Sequence, residues 1–117
     1  MIIIAEEDMR REEATPHGKI GMSTAFRLTA DIPNRTMEFR KRILHRSAAI
    51  GAHLIDHDEV YYVVSGDGEV FSNEQAHYLG AGMMAYLYRG DTVGIRQIGD
   101  APLEMIISYP LCKPVVD

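Results

Sequence analysis

His53, His57 and Glu59 fall within one short stretch, Gly51-Ala52-His53-Leu54-Ile55-Asp56-His57-Asp58-Glu59. Two imidazoles and a carboxylate can hold a divalent cation, or pass protons near neutral pH. In an extended segment His57 and Glu59 point to the same face, about 6.6 Å apart along the strand, which is a workable chelating spacing. His53 joins them only if the chain bends, because six extended residues span about 20 Å. Asp56-His57-Asp58 has the turn character for such a bend. His57 reads equally well as a residue at an exposed loop tip.

These groups need a rigid support. The run Val60-Tyr61-Tyr62-Val63-Val64 directly after Glu59 is β-branched and aromatic, as a strand requires. It ends in Ser65-Gly66-Asp67-Gly68, which predicts a hairpin with Glu69–Ser72 as the return strand. Further strands are predicted over Met22–Thr29, Met37–Arg46, Ala76–Leu79, Met83–Tyr88, Thr92–Ile98 and Leu103–Tyr109. Turn signals near positions 66, 80, 90 and 99 have the spacing of an all-β sandwich or barrel of short strands. Asn73-Glu74 is a further turn, and Pro110 and Pro114 make the end irregular. No long stretch shows helical periodicity, so little helix is expected. Met1-Ile2-Ile3-Ile4 reads as a short opening strand, and Glu6–Glu13 as a solvated turn or short helix. Along Met37–Arg46 alternation separates Met37, Phe39 and Ile43 from Glu38, Arg40, Arg42 and Arg46. The arginine row reads as a clamp for an anionic substrate, or as a solvated or interface-facing surface. His17, in Thr15-Pro16-His17-Gly18, reads as an exposed loop residue, and His45 and His77 as surface or interface residues.

The chain has 117 residues, a net charge of −5 and one cysteine. That length suits a single domain over 1–117, with its core at about 16–109. The acidic balance argues against nucleic acid and acidic membranes as partners. No stretch has the roughly 20 apolar residues of a membrane span. A single cysteine, Cys112, excludes an internal disulfide, and with no cysteine or histidine nearby it is a poor metal ligand; a reducing cytoplasm is expected. Val60–Val64 and Met105–Ile107 are apolar on both faces, whereas one sandwich buries only one, so a homodimer is expected.

The segment from Gly51 through His53 and Glu59 to Gly66 resembles the first motif of the cupins. Gly82, Gly90 and Gly99-Asp100-Ala101-Pro102-Leu103-Glu104 resemble the second motif and its tail. Pro16-His17-Gly18-Lys19-Ile20-Gly21 resembles the approach segment of small bacterial single-domain cupins. The resemblance spans roughly Pro16 to Tyr109 and implies a double-stranded β-helix, or jelly-roll, barrel. It also implies one metal held by two histidines and a glutamate of the first motif and a histidine of the second. His53 and Glu59 stand at two of those positions. Ile55 and Val93 stand where the other two histidines belong, Tyr88 replaces a proline and Gln97 an asparagine.

Ile and Val have no lone pairs, so the implied metal site is degenerate. The resemblance then implies a small-molecule-binding cupin with a pocket of Ile55, Tyr86, Tyr88, Val93, Ile95 and Gln97. A second possibility is a metal-dependent oxygenase or isomerase in which His57 joins His53 and Glu59 around Zn, Fe, Ni or Mn. A third is a metal-free epimerase or isomerase with His53 as base and a tyrosine as acid, Glu59, Tyr61 and Tyr86 or Tyr88 all pointing inward. The tyrosines read alternatively as barrel filling. With no metal as plausible as one, His53, Glu59 and Tyr61 are the candidate catalytic residues.

Overall fold

The alternation along Glu59–Ser65 is the simplest place to see how this chain folds. In the computed structural model, which describes residues 1–73 and 75–111, these residues form strand β5. Glu59, Tyr61 and Val63 are buried, while Tyr62 and Val64 point outward. Successive side chains on a strand take opposite faces, so one residue of every two enters the core.

Among the described residues ten strands form, all paired antiparallel: β1 (Arg10–Ala14), β2 (Met22–Arg27), β3 (Met37–Leu44), β4 (Ala49–Leu54), β5 (Glu59–Ser65), β6 (Asp67–Ser72), β7 (Gln75–Gly80), β8 (Met84–Leu87), β9 (Thr92–Ile98) and β10 (Leu103–Pro110). A six-stranded sheet runs β1-β2-β3-β10-β5-β8, and a four-stranded sheet runs β4-β9-β6-β7. Leu44, Ile50, Tyr61, Val63, Ile95, Leu103 and Met105 form the core between them. The all-β, double-sheet architecture is the expected one. The 3-10 turn Glu6–Met9 is the one helical element among the described residues, and none of their helices could cross a membrane.

Three local expectations are corrected. The turn at Gly66 does not close a hairpin. β5 belongs to the large sheet and β6 to the small one, so the chain turns a corner between sheets there. Gly66 has φ +84°, and a Cβ at this position would lie 2.3 Å from the carbonyl oxygen of Pro102. Only glycine fits both the left-handed backbone and that contact. At the start of the chain, Met1–Ala5 is not a strand; Ile3 is 86% exposed. The first strand lies instead within the charged run, where Arg10–Ala14 pairs with β2. Glu74, Cys112 and Pro114, on which a turn, a thiol and an irregular end were read, lie outside the described residues.

The third correction is to the solvated or interface-facing reading of the Met37–Arg46 charges, because β3 turns its charged face inward. Glu38 and Arg42 are 3% and 5% exposed, whereas Met37 and Phe39 are 59% and 41% exposed. The inward charges are paired. Arg42 donates to Glu13 Oε1 (3.0 Å) and Ser23 Oγ (2.8 Å), and Glu38 accepts from Arg35 Nε (2.5 Å) and Thr29 Oγ1 (2.8 Å). Buried charges are tolerated when paired and hydrogen-bonded in this way. Arg46 leaves the row: it is mostly exposed, 3.7 Å from Asp100.

Candidate functional site

The inward arginines of β3 form one wall of a cavity of about 260 Å³ between the sheets. Arg27 of β2 joins Arg40 and Arg42 there. Ile50 and His53 of β4, Glu59 and Tyr61 of β5, and Ile107 and Tyr109 of β10 complete most of the lining. Pro16 and His17 lie at its mouth, and Leu54-Ile55-Asp56-His57 closes the side where β4 turns into β5. The expected bend between His53 and Glu59 is present and brings both residues to the same space.

His53 and His17 are stacked, with ring centroids 3.6 Å apart and planes within 1°. His53 Nδ1 lies 2.9 Å from the carbonyl oxygen of Gly51. Burial, the neighbouring His53 and Arg42 all hold the His17 imidazole below its ordinary pKa. His17 is an exposed turn residue, as expected, and is also a site residue. The sequence signal for it is Gly51. A Cβ there would meet the His17 carbonyl oxygen at 1.9 Å, so the glycine is what admits the Pro16–Gly18 turn to the site.

His57 is not at an exposed tip. Its ring stacks on Tyr109 at 4.0 Å, its Nδ1 lies 2.7 Å from Asp56 Oδ1, and its Nε2 lies 3.7 Å from Glu59 Oε1. Glu59 is 8% exposed, and burial pushes its carboxyl above the ordinary carboxylate range against the opposing pull of His57, His53 and Arg40. Tyr61 is 2% exposed, and its phenol is held protonated by burial and by the nearby Glu59 charge. It offers this cavity a hydrogen-bond donor, not a mobile proton.

The three-ligand set of His53, His57 and Glu59 is not assembled. Among the described residues, no group of three or more His, Cys, Asp and Glu side chains could hold a metal ion. The rings are committed elsewhere: His53 to His17 and the Gly51 carbonyl, His57 to Tyr109 and Asp56. Ile55, at a position the resemblance gives to a histidine, lines the cavity and is 2% exposed. Val93, at the other, is 4% exposed and pairs with His53 across β4 and β9. The donors present do not fit the inherited metal.

The expected pocket residues divide. Ile55 lines the cavity, but Val93 and Ile95 belong to the core cluster. Gln97 is structural: its Nε2 lies 2.8–3.0 Å from the carbonyl oxygens of Ile98, Gly99 and Ala101, and its Oε1 accepts from the Ser47 N–H at 2.8 Å. Tyr86 and Tyr88 do not point inward; they are 48% and 63% exposed. Tyr86 pairs with Val60 on the outward side of β5, where its hydroxyl donates to Asp58 Oδ2 at 2.7 Å. The site residues not foreseen in role are His17, Arg27 and Tyr109.

Solved structures share this fold. A predicted oxalate decarboxylase from Thermotoga maritima superposes with a TM-score of 0.81 at 20% identity, covering 94% of this chain and 99% of that one. The polyketide cyclase RemF from Streptomyces resistomycificus gives 0.79 at 15% identity, covering 97% and 81%. A cupin 2 conserved barrel domain protein from Salinispora arenicola gives 0.74 at 18% identity, covering 96% and 89%. No family model matches the sequence, and no curated protein matches it. The chain thus has the cupin barrel fold that its glycine and histidine motifs resemble.

Proposed function

We propose that this protein binds a small organic molecule in the cavity between its sheets, using a cupin metal site that has become metal-independent. The observation that carries this is Glu59. It is a nearly buried carboxyl on the cavity wall, and its imidazole neighbour, His57 Nε2, stands at 3.7 Å, beyond hydrogen-bond distance. A buried carboxyl without a close internal donor is a group that a ligand can satisfy. At about 260 Å³ the cavity is below the roughly 300–1,000 Å³ of sites for drug-sized ligands, so the molecule is small. Methyl NMR on Ile50, Ile55 and Ile107 tests the reading. Members of a library of small organic molecules should shift these signals together. A library that moves none of them, or moves only surface signals, removes the proposal.

A second reading is metal-free proton transfer. It is favoured by the order Asp56, His57, Glu59, in which an imidazole lies between an exposed carboxylate and a buried carboxyl. Glu59 would exchange a proton with the bound molecule, and His57 would pass it toward Asp56 and solvent. This replaces the pairing of His53 with a tyrosine. Deuterium from solvent should then enter a carbon of the bound molecule with the wild type and not with Glu59→Gln. The same proposal includes a homodimer formed through the outer face of the six-stranded sheet. Its support is the exposed Phe39, Tyr62, Met84 and Tyr86.

A further inference from the structure

The cavity's three arginines are not equivalent. Arg27 and Arg42 both donate to Glu13, Arg27 through two nitrogens at 3.1 and 2.5 Å and Arg42 at 3.0 Å. Arg40 has no such partner. Its Nε is buried without a hydrogen bond, and among the described residues its guanidinium makes only a 3.6 Å approach to Glu38 Oε2. Glu38 is already occupied by Arg35 and Thr29. Arg40 instead lies over the ring of Tyr109, its guanidinium carbon 5.5 Å from the centroid. The rest of the side chain is open, 32% exposed, so a cavity-lining guanidinium in this state is poised to accept an anion. The guanidinium fork matches a carboxylate in geometry, and the pair is stronger than a neutral hydrogen bond.

Beside its charged groups the cavity has an apolar part. Ile55 and Ile107 line it, with the ring of Tyr109. We infer that the cavity binds a small monocarboxylate with an apolar body, its carboxylate on Arg40 and its body against Ile55, Ile107 and Tyr109. The inference rests on the small-molecule reading above and narrows it.

The test is a titration of the full-length protein with acetate, 3-methylbutanoate and benzoate, each beside its primary amide. The readouts are the Arg40 Nε–Hε resonance and the methyl signals of Ile55 and Ile107. The expected result is that the carboxylates move all three signals, that the two larger acids bind more tightly than acetate, and that each amide binds about tenfold or more weakly than its acid. Arg40→Gln should abolish the difference between acid and amide, and Arg40→Lys should retain part of it. Acids and amides that bind equally, or acids that shift the methyls and leave Arg40 unmoved, overturn the carboxylate assignment while small-molecule binding stands. If none of the six compounds moves the methyl signals, the carboxylate assignment also falls, and the wider library described above then decides separately whether the cavity binds anything. Among the described residues Arg40 makes no hydrogen bond, and circular dichroism with a thermal melt of the Arg40→Gln protein separates lost binding from lost folding.

Discussion

Gly51 lies directly beneath the carbonyl group of His17, at a spacing where a β-carbon would come to 1.9 Å from the oxygen. The approach segment and the first-motif segment therefore meet through backbone. Gly51→Ala should push the Pro16–Gly18 turn away, cost about 1–3 kcal/mol and separate the two stacked imidazoles. Chemical denaturation gives the stability change, and the loss of ring-current shifts at His53 reports the unstacking.

The stack itself sets a pH response. The folded-state pKa of His17 is lowered from 6.5, chiefly by burial, then by His53 and Arg42. The folded protein therefore binds fewer protons at this group than the unfolded chain. Its contribution is complete above pH 6.5 and is lost as pH falls toward the lowered value. Melting temperatures measured across this range should decline on acidification, and His17→Asn should flatten the decline. An equal slope in the variant would place the response elsewhere.

Glu59 has the opposite sign. Its folded-state pKa is raised from 4.5, chiefly by burial, so the folded state holds the proton more tightly than the unfolded chain does. This favours folding below pH 4.5, and the advantage is lost as pH rises through the raised value. Glu59→Gln should accordingly raise the melting temperature at neutral pH by roughly 2–5 °C, with the gain shrinking to nothing at acid pH. It should at the same time weaken any ligand that hydrogen-bonds the carboxyl.

Glu13 serves two arginines, Arg27 and the nearly buried Arg42. Removing the carboxylate leaves two cations side by side. Breaking a fully buried pair costs about 3–5 kcal/mol. The Glu13 side chain keeps 28% exposure, so Glu13→Ala should cost less, about 2–3 kcal/mol, as read by urea unfolding. Replacing both Glu13 and Arg42 by apolar residues should cost less than the sum of the single changes.

The outer face of the six-stranded sheet offers a fourth kind of test. Tyr62 pairs with Ile106 on one side and Met84 on the other, and Tyr62 and Met84 are 41% and 54% exposed. The double variant Tyr62→Glu, Met84→Glu should sediment as a monomer where the wild type sediments as a dimer. A wild type that is monomeric at all working concentrations would exclude the assembly.

These residues also show which features local pattern reveals. β5 is legible because Glu59, Tyr61 and Val63 obey strand parity around an apolar run, and the bend at Asp56–Asp58 is legible from its turn-forming residues. β3 is not. Its alternation separates Met37 and Phe39 from Glu38, Arg40 and Arg42 without saying which face is inside, and the inside here is a polar cavity whose charges are paired or hydrogen-bonded by Glu13, Ser23, Arg35 and Thr29 from other segments. No local pattern carries that pairing. The corner at Gly66 reads as a hairpin for the same reason: the contact that selects glycine comes from Pro102. His57 and Tyr86 exchange expected places because the ring stack on Tyr109 and the bond to Asp58 are both long-range facts.

β10 lies between β3 and β5 in the middle of the six-stranded sheet. During synthesis, β3 and β5 must therefore wait with unpaired edges until residues 103–110 emerge from the ribosome. Tyr109, against which His57 stacks, arrives with that strand. The cavity is thus finished only by this insertion, and an incomplete chain would expose two sticky edges to its neighbours.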